Sequence, residues 1–340
     1  MTSDLSADGF APLRVKRVVH ETDDAVSLVL DVPEYCTQRF GYKAGQFLTL
    51  KVSIDGSEHR RCYSMSSSPA LDEDLRITVK RDCGGVVSNW LNDTATVGDE
   101  IHATPPEGRF VLGEEDRDIV AFAGGSGITP IHSLIGSAMA GTSRRIRLFY
   151  SNRSHKSVIF AESLAALADA NPDRLTIRHH IDEDDGVIQP EAIASFIADA
   201  GDAEYYICGP RPYMDAVEAV LLQSGAARKR IHLEHFEVAK VPEADAAASI
   251  TDEVTIELDR RITTVLYRPG NTLLHMARTA GLRAPSSCET GSCGTCMARI
   301  VEGSARMLNN DALDDDEVAE GWVLTCQSLP TSKTVRFVYE

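Results

Sequence analysis

Four cysteines, Cys288, Cys293, Cys296 and Cys326, are spaced C-x4-C-x2-C-x29-C. If all four meet, the loop 288–296 must close on itself and residue 326 must return to it. Four thiolates in this spacing hold a 2Fe–2S cluster. The loop is built for that role. Gly291 and Gly294 can adopt φ > 0, and small Ser and Thr neighbours let backbone N–H groups point at the sulfurs. Gly321-Trp-Val-Leu-Thr-Cys326 reads as a strand that brings in the fourth thiol. A structural zinc site or unligated core thiols are the alternatives. Zinc favours paired C-x2-C units, and only one such pair is present. A cluster carries one electron at a time, so the rest of the chain must supply electrons and something must receive them.

At 340 residues the chain has room for two or three cores. A net charge of −17 speaks against nucleic acid and against anionic membranes. It suits solubility or a basic protein partner. The first residues lack a basic, then apolar, signal pattern. The most apolar stretch, 119–140, is broken by Gly124, Gly125, Gly127, Pro130 and His132, so it reads as strand, loop and helix rather than a membrane span. The expected compartment is the cytoplasm, with Cys36, Cys62, Cys83 and Cys208 as reduced thiols.

Three textures follow one another. Residues 10–111 carry alternating strands separated by turn signals and one short helix near 87–92, which predicts an antiparallel β-barrel. Residues 112–236 alternate strand and helix, which predicts an α/β, doubly wound parallel sheet. The strands are expected at 118–123, 146–150, 174–180, 204–208 and 231–236. Residues 237–251, rich in Ala, Asp and Glu, read as a linker. Residues 252–340 read as a compact α+β unit around the cysteine loop, opening with two strands about Arg260-Arg261 and a helix near 272–280.

Two clusters in the first two segments suit cofactors. In Arg61-Cys-Tyr-Ser64, alternation puts Arg61 and Tyr63 on one face and Cys62 and Ser64 on the other. A guanidinium suits a pyrophosphate, a phenol ring suits a flat aromatic group, and a hydroxyl suits a ring nitrogen. Lys80, Gly84, Gly85, Val86 and Ser88 join a basic strand end to a glycine-rich helix start, an anion site. In the second segment, Ala123-Gly-Gly-Ser-Gly-Ile-Thr-Pro130 links a strand to a helix. Gly124, Gly125 and Gly127 let backbone approach a pyrophosphate, and Thr129 and Pro130 lie in the helix's first turn. Cys208, Gly209 and Pro210 end another strand in a turn.

From about residue 12 to 340 the chain resembles the ferredoxin–NADP reductase superfamily of flavoproteins, extended by a β-grasp ferredoxin domain. Arg61-x-Tyr63-Ser64, Gly84-Gly85-x-x-Ser88, the GGSGITP run and Cys208-Gly209-Pro210 carry the likeness. It implies that Arg61 holds a flavin diphosphate, Tyr63 packs on the isoalloxazine and Ser64 bonds near its N5. It sets Cys208 beside the reacting nicotinamide carbon and an aromatic, Phe236, over the flavin. FAD is implied over FMN. The adenosine pocket is implied near Ser151-Asn152-Arg153; Arg153 could contact a 2′-phosphate, but no cluster of basic residues surrounds it, so NADH is preferred to NADPH. The domain order resembles reductase components of Rieske-type oxygenases, most nearly those serving 3-ketosteroid 9α-hydroxylases, with phenylacetyl-CoA epoxidase reductases next. It implies a monomeric NAD(P)H-dependent oxidoreductase that feeds a terminal oxygenase through a 2Fe–2S cluster. Glu289 departs from the family, where Arg commonly follows the first cysteine. A carrier or redox-sensor module without turnover is the reading from another class.

Other groups are less promising as sites. His232 and His235, and His179 and His180, would lie on opposite strand faces and so make poor metal pairs. The acidic run Asp311, Asp314, Asp315, Asp316, Glu317 and Glu320 reads as a solvated helix face, or as a docking surface for an electron acceptor.

Overall fold

The computed structural model describes residues 9–71, 73–236 and 249–340, so most of the expected linker lies outside the described residues. The chain divides into two compact units, Met1–Glu234 and His235–Glu340.

The first unit opens with six antiparallel strands: β1 (Ala11–Thr22), β2 (Ala25–Asp31), β3 (Phe47–Ile54), β4 (Ser57–Ser64), β5 (Arg76–Lys80) and β6 (Glu100–Ala103). Their order is β4-β3-β6-β1-β2-β5. A bridge between Met65 and Ile77 closes β4 onto β5, so the sheet is a barrel. Its interior is filled by Leu13, Leu28, Leu48, Leu50, Ile77 and Val79, the inward residues of alternating strands. Helix α1 (Val86–Thr94) adds Val87 and Leu91 to this core. A 3-10 segment, Glu34–Phe40, buries Cys36 and Phe40. No periodicity announced it, because seven residues show too few repeats.

A parallel sheet follows. Its strands are β7 (Ile119–Gly124), β8 (Ile146–Asn152), β9 (Leu175–Ile181), β10 (Glu204–Cys208) and β11 (Ile231–Glu234). They are ordered β11-β10-β7-β8-β9, every pair parallel. The helices are α2 (Ile128–Gly141), α3 (Ala161–Ala170), α4 (Asp182–Asp185), α5 (Pro190–Ile197) and α6 (Arg211–Gln223). Ala121 and Ala123 face the layer of Ile131, Leu134 and Leu164, while Val120 and Phe122 face that of Phe196, Val217 and Leu221. Burial on both faces explains why these strands read as continuous apolar runs. The winding reverses between β7 and β10, so the crevice for a ligand opens at their C-terminal ends.

The second unit holds β12 (Glu253–Leu258), β13 (Arg261–Leu266), β14 (Met297–Glu302), β15 (Ala305–Met307), β16 (Trp322–Leu324), β17 (Ser328–Pro330) and β18 (Thr334–Val338). The main sheet runs β13-β12-β18-β14-β16, with β12 and β18 parallel and the other pairs antiparallel. The helix Leu273–Thr279 lays Leu273, Met276 and Ala277 on Val254, Ile256 and Phe337. Thr272 caps it by accepting the His275 N–H. This is the mixed α+β fold expected around the cysteine loop.

Candidate redox site

In the first unit, the turns after β7 and β10 interlock at the crevice. A Cβ on Gly127 would lie 2.0 Å from the Cys208 carbonyl oxygen, and one on Gly124 would lie 2.8 Å from Cδ of Pro210. Only glycine allows the two turns this approach. Thr129 donates to Ser126 O (3.0 Å), Tyr150 donates to Gly125 O (3.3 Å), and Pro130 is buried in the first turn of α2. The 14-residue helix α2 thus aims its N-terminus at the crevice, where its N–H groups favour an anion. Lys80, at the end of barrel strand β5, brings its Nζ within 3.8 Å of the position of a Gly125 Cβ. The buried amide atoms of Asn152 and one guanidinium nitrogen of Arg211 have no hydrogen-bond partner. Buried polar atoms of this kind fit a polar ligand that would satisfy them.

On the barrel, Tyr63 and Arg61 stand opposite Leu48 and Leu50 of β3. Arg61 is exposed and turns one nitrogen to Arg60 O (2.7 Å), while Tyr63 packs against the barrel core. Burial, partly offset by Arg61, raises the Tyr63 hydroxyl well above its ordinary pKa, so it stays protonated. Ser88, in the first turn of α1, accepts the Asp82 N–H (3.2 Å), and Val86 is exposed beside it.

Ser64 is buried and donates to Glu234 Oε2 at 3.4 Å. Glu234 was missed from the sequence. It ends β11, where the strand expected over 231–236 stops two residues early. The signal was a carboxylate at the C-terminal end of a parallel strand next to Cys208, which pairs in register with it. Phe236 is 41% exposed.

The barrel and the parallel sheet meet along a run of hydroxyls. Ser68 Oγ pairs with Ser137 Oγ (2.7 Å), Ser133 donates to Ser67 O (2.5 Å) and His132 Nδ1 meets Ser66 O (2.9 Å). A Cβ on Gly136 would approach Ser68 Cβ to 3.0 Å.

In the second unit the thiols pair two by two, Cys288 with Cys293 and Cys296 with Cys326. The hydrogen bond from Cys293, joined by Thr290 and the Ser292 N–H, pulls the Cys288 thiol down to about 5 against burial. The Cys296 thiol is lowered likewise by Cys326. Two pairs of thiols fit two irons with two ligands each. Among the described residues no cysteine is joined in a disulfide.

His232 and His235 take separate partners: His232 Nε2 meets Glu204 at 2.6 Å and His235 Nδ1 meets Asp311 at 2.7 Å. The Asp311 side chain is 4% exposed, so this member of the acidic run is not solvated. Asp314 caps the helix Asp315–Ala319 in a reciprocal box with Glu317. Asp315, Asp316 and Glu320 remain exposed. Glu183 N–H bonds Arg153 O (3.1 Å), which brings the acidic turn Asp182–Asp185 beside the backbone of that residue. No helix among the described residues is long and apolar enough to cross a membrane.

A barrel fused to a nucleotide-type crevice, with a four-thiol domain, defines an oxidoreductase that uses FAD, NADH and a 2Fe–2S cluster. Three family models agree: an oxidoreductase FAD-binding domain over residues 12–112, an oxidoreductase NAD-binding domain over 122–219, and a 2Fe-2S iron-sulfur cluster binding domain over 256–331. The ferredoxin reductase component of 3-ketosteroid-9-alpha-monooxygenase from Rhodococcus rhodochrous is 37% identical, covering 96% of each chain. A component of the 1,2-phenylacetyl-CoA epoxidase of Escherichia coli is 33% identical, again over 96% of each. Among solved structures, phthalate dioxygenase reductase is similar over 98% of both chains, at 26% identity and a TM-score of 0.65. The chain belongs to the family of these oxygenase reductase components.

Proposed function

We propose that the protein draws electrons from NADH and delivers them to a terminal oxygenase, by preference a Rieske-type 3-ketosteroid 9α-hydroxylase. The preference rests on the higher identity to the steroid system, 37% against 33% for the epoxidase component. The observation that carries the redox reading is the interlock of the Gly124–Gly127 turn with Cys208–Pro210, with Lys80 Nζ 3.8 Å from the position of a Gly125 Cβ and Cys208 in register with Glu234.

When bound, FAD accepts an electron pair from NADH and the cluster passes electrons singly to the acceptor. The chain's own groups bind, orient and shield. Arg61, Lys80 and the α1 start with Gly84, Gly85, Val86 and Ser88 would hold the flavin's phosphates. Tyr63, kept protonated and half-buried, would pack against its ring. The N-terminus of α2, with Gly124, Gly125, Gly127, Thr129 and Pro130, would take the NADH pyrophosphate. Cys208, Gly209 and Pro210 would bound the nicotinamide. Ser64, held by Glu234, would present its hydroxyl to the reacting edge of the flavin, and Phe236 would serve as an aromatic cover. Cys288, Cys293, Cys296 and Cys326 would ligate the irons. The acidic turn after β9 supports NADH over NADPH, because nearby carboxylates disfavour a 2′-phosphate. A cytoplasmic monomer is the matching physical form.

The test is NADH-driven reduction of cytochrome c by protein carrying both cofactors, followed by electron delivery to purified oxygenases. Negligible cytochrome turnover would leave the carrier or sensor reading standing. Turnover with delivery to an epoxidase but not to a steroid hydroxylase would move the partner to the second reading.

A further inference from the structure

The loop between the first two cluster cysteines is fixed at every residue from outside itself. Gln327 Nε2 donates to Glu289 O (2.6 Å), Asn309 Nδ2 to Thr290 O (2.7 Å), and the Asp311 N–H to Gly291 O (3.0 Å). Ser292 Oγ reaches Asp311 Oδ2 at 3.5 Å. That same oxygen accepts from Asn309 Nδ2 (3.2 Å), from the His235 N–H (3.3 Å) and from His235 Nδ1 (2.7 Å). The imidazole bond is the shortest of the four. A carboxylate only accepts, so Nδ1 carries the proton. The two side chains are 8% and 4% exposed, out of competition with water.

We infer that His235 is a positioning residue for the iron–sulfur loop: through Asp311 it fixes where Ser292 and Gly291 stand, and so how the loop's N–H groups face the Cys288 sulfur. The Ser292 N–H is one of the donors to that sulfur. Such outer donors tune both the retention and the potential of a cluster. The potential of the cluster, and with it the rate at which the cluster takes up electrons, then depends on this imidazole. This rests on the four thiols being the cluster ligands.

The experiment uses the full-length holoprotein in anaerobic stopped-flow, with electron paramagnetic resonance of the reduced cluster. His235→Ala should leave flavin reduction by NADH within about twofold, slow the following cluster reduction about tenfold, and shift the resonance g-values. His235→Asn, whose amide N–H can replace Nδ1–H, should restore both. Should His235→Ala lose its iron while His235→Asn keeps it, the inference is equally supported. Ala and Asn variants that behave alike, whether both normal or both damaged, overturn it. A wild-type protein without iron would instead defeat the assignment of the thiols, so the two failures are distinct.

Discussion

A side chain on Gly127 would set its first carbon 2.0 Å from the carbonyl oxygen of Cys208. Two turns far apart in sequence thus share one van der Waals contact at the crevice. Gly127→Ala must push the α2 start away from the Cys208 turn. Overpacking of this kind costs about 1–3 kcal/mol. The expected outcome is a melting temperature lowered by several degrees and a KM for NADH raised about tenfold or more. Unchanged values for both would mean that the turns yield freely.

Ser64→Ala removes the hydroxyl held by Glu234. Flavin should remain bound, because Ser64 is not a phosphate contact, while the rate of flavin reduction by NADH falls about tenfold to a hundredfold. Stopped-flow bleaching of the flavin band measures this. A rate equal to wild type would remove Ser64 from the reacting edge.

Cys326→Ser should abolish the iron–sulfur absorbance and leave the flavin spectrum intact. Cys326 is 5% exposed and partners Cys296, so its loss strips one thiol pair. Iron analysis beside the visible spectrum checks it. Retained iron would mean that the ligand set is wrong.

Much of this was legible in the residues because the relevant interactions are local or periodic. Strand 204–208 matches to the residue, since apolar continuity is a short-range signal. The polar strand β4 was visible only through its Arg61-x-Tyr63-Ser64 pattern. Glu234 and Asp311 escape a reading of the sequence for one reason. The first passes for an ordinary strand residue and the second for a surface acid, and the partners that bury them lie 170 and 76 positions away. No window of sequence contains such a pair.

His132 gives a pH signature. Burial above all, and then Arg76, lowers its pKa from 6.5 to about 4, while the bond to Ser66 O opposes the shift. The folded form stays neutral as the unfolded chain begins to take up a proton below pH 6.5. Stability is therefore full above that value and falls as pH drops from 6.5 towards 4. The loss is on the order of 2 kcal/mol for a half-buried ring. His132→Gln should flatten the fall in melting temperature between pH 7 and pH 5. An identical slope in the variant would assign the acid sensitivity elsewhere.

Asp315→Asn with Asp316→Asn removes two exposed charges without touching the Asp314 cap. Electron delivery to the oxygenase should weaken about threefold at low salt and lose part of its ionic-strength dependence, while flavin reduction by NADH holds. Coupling assays across a salt series decide it, and unaltered coupling would leave these acids as plain surface.

The hydroxyl seam between barrel and sheet bears on how such reductases can be recombined. Ser66, Ser67 and Ser68 hydrogen-bond His132, Ser133 and Ser137, and a side chain on Gly136 would press on Ser68. A chimera that borrows its nucleotide half from a relative must import both rows of the seam together. Otherwise the graft would wedge the halves apart, and the hydride donor would be carried away from its acceptor.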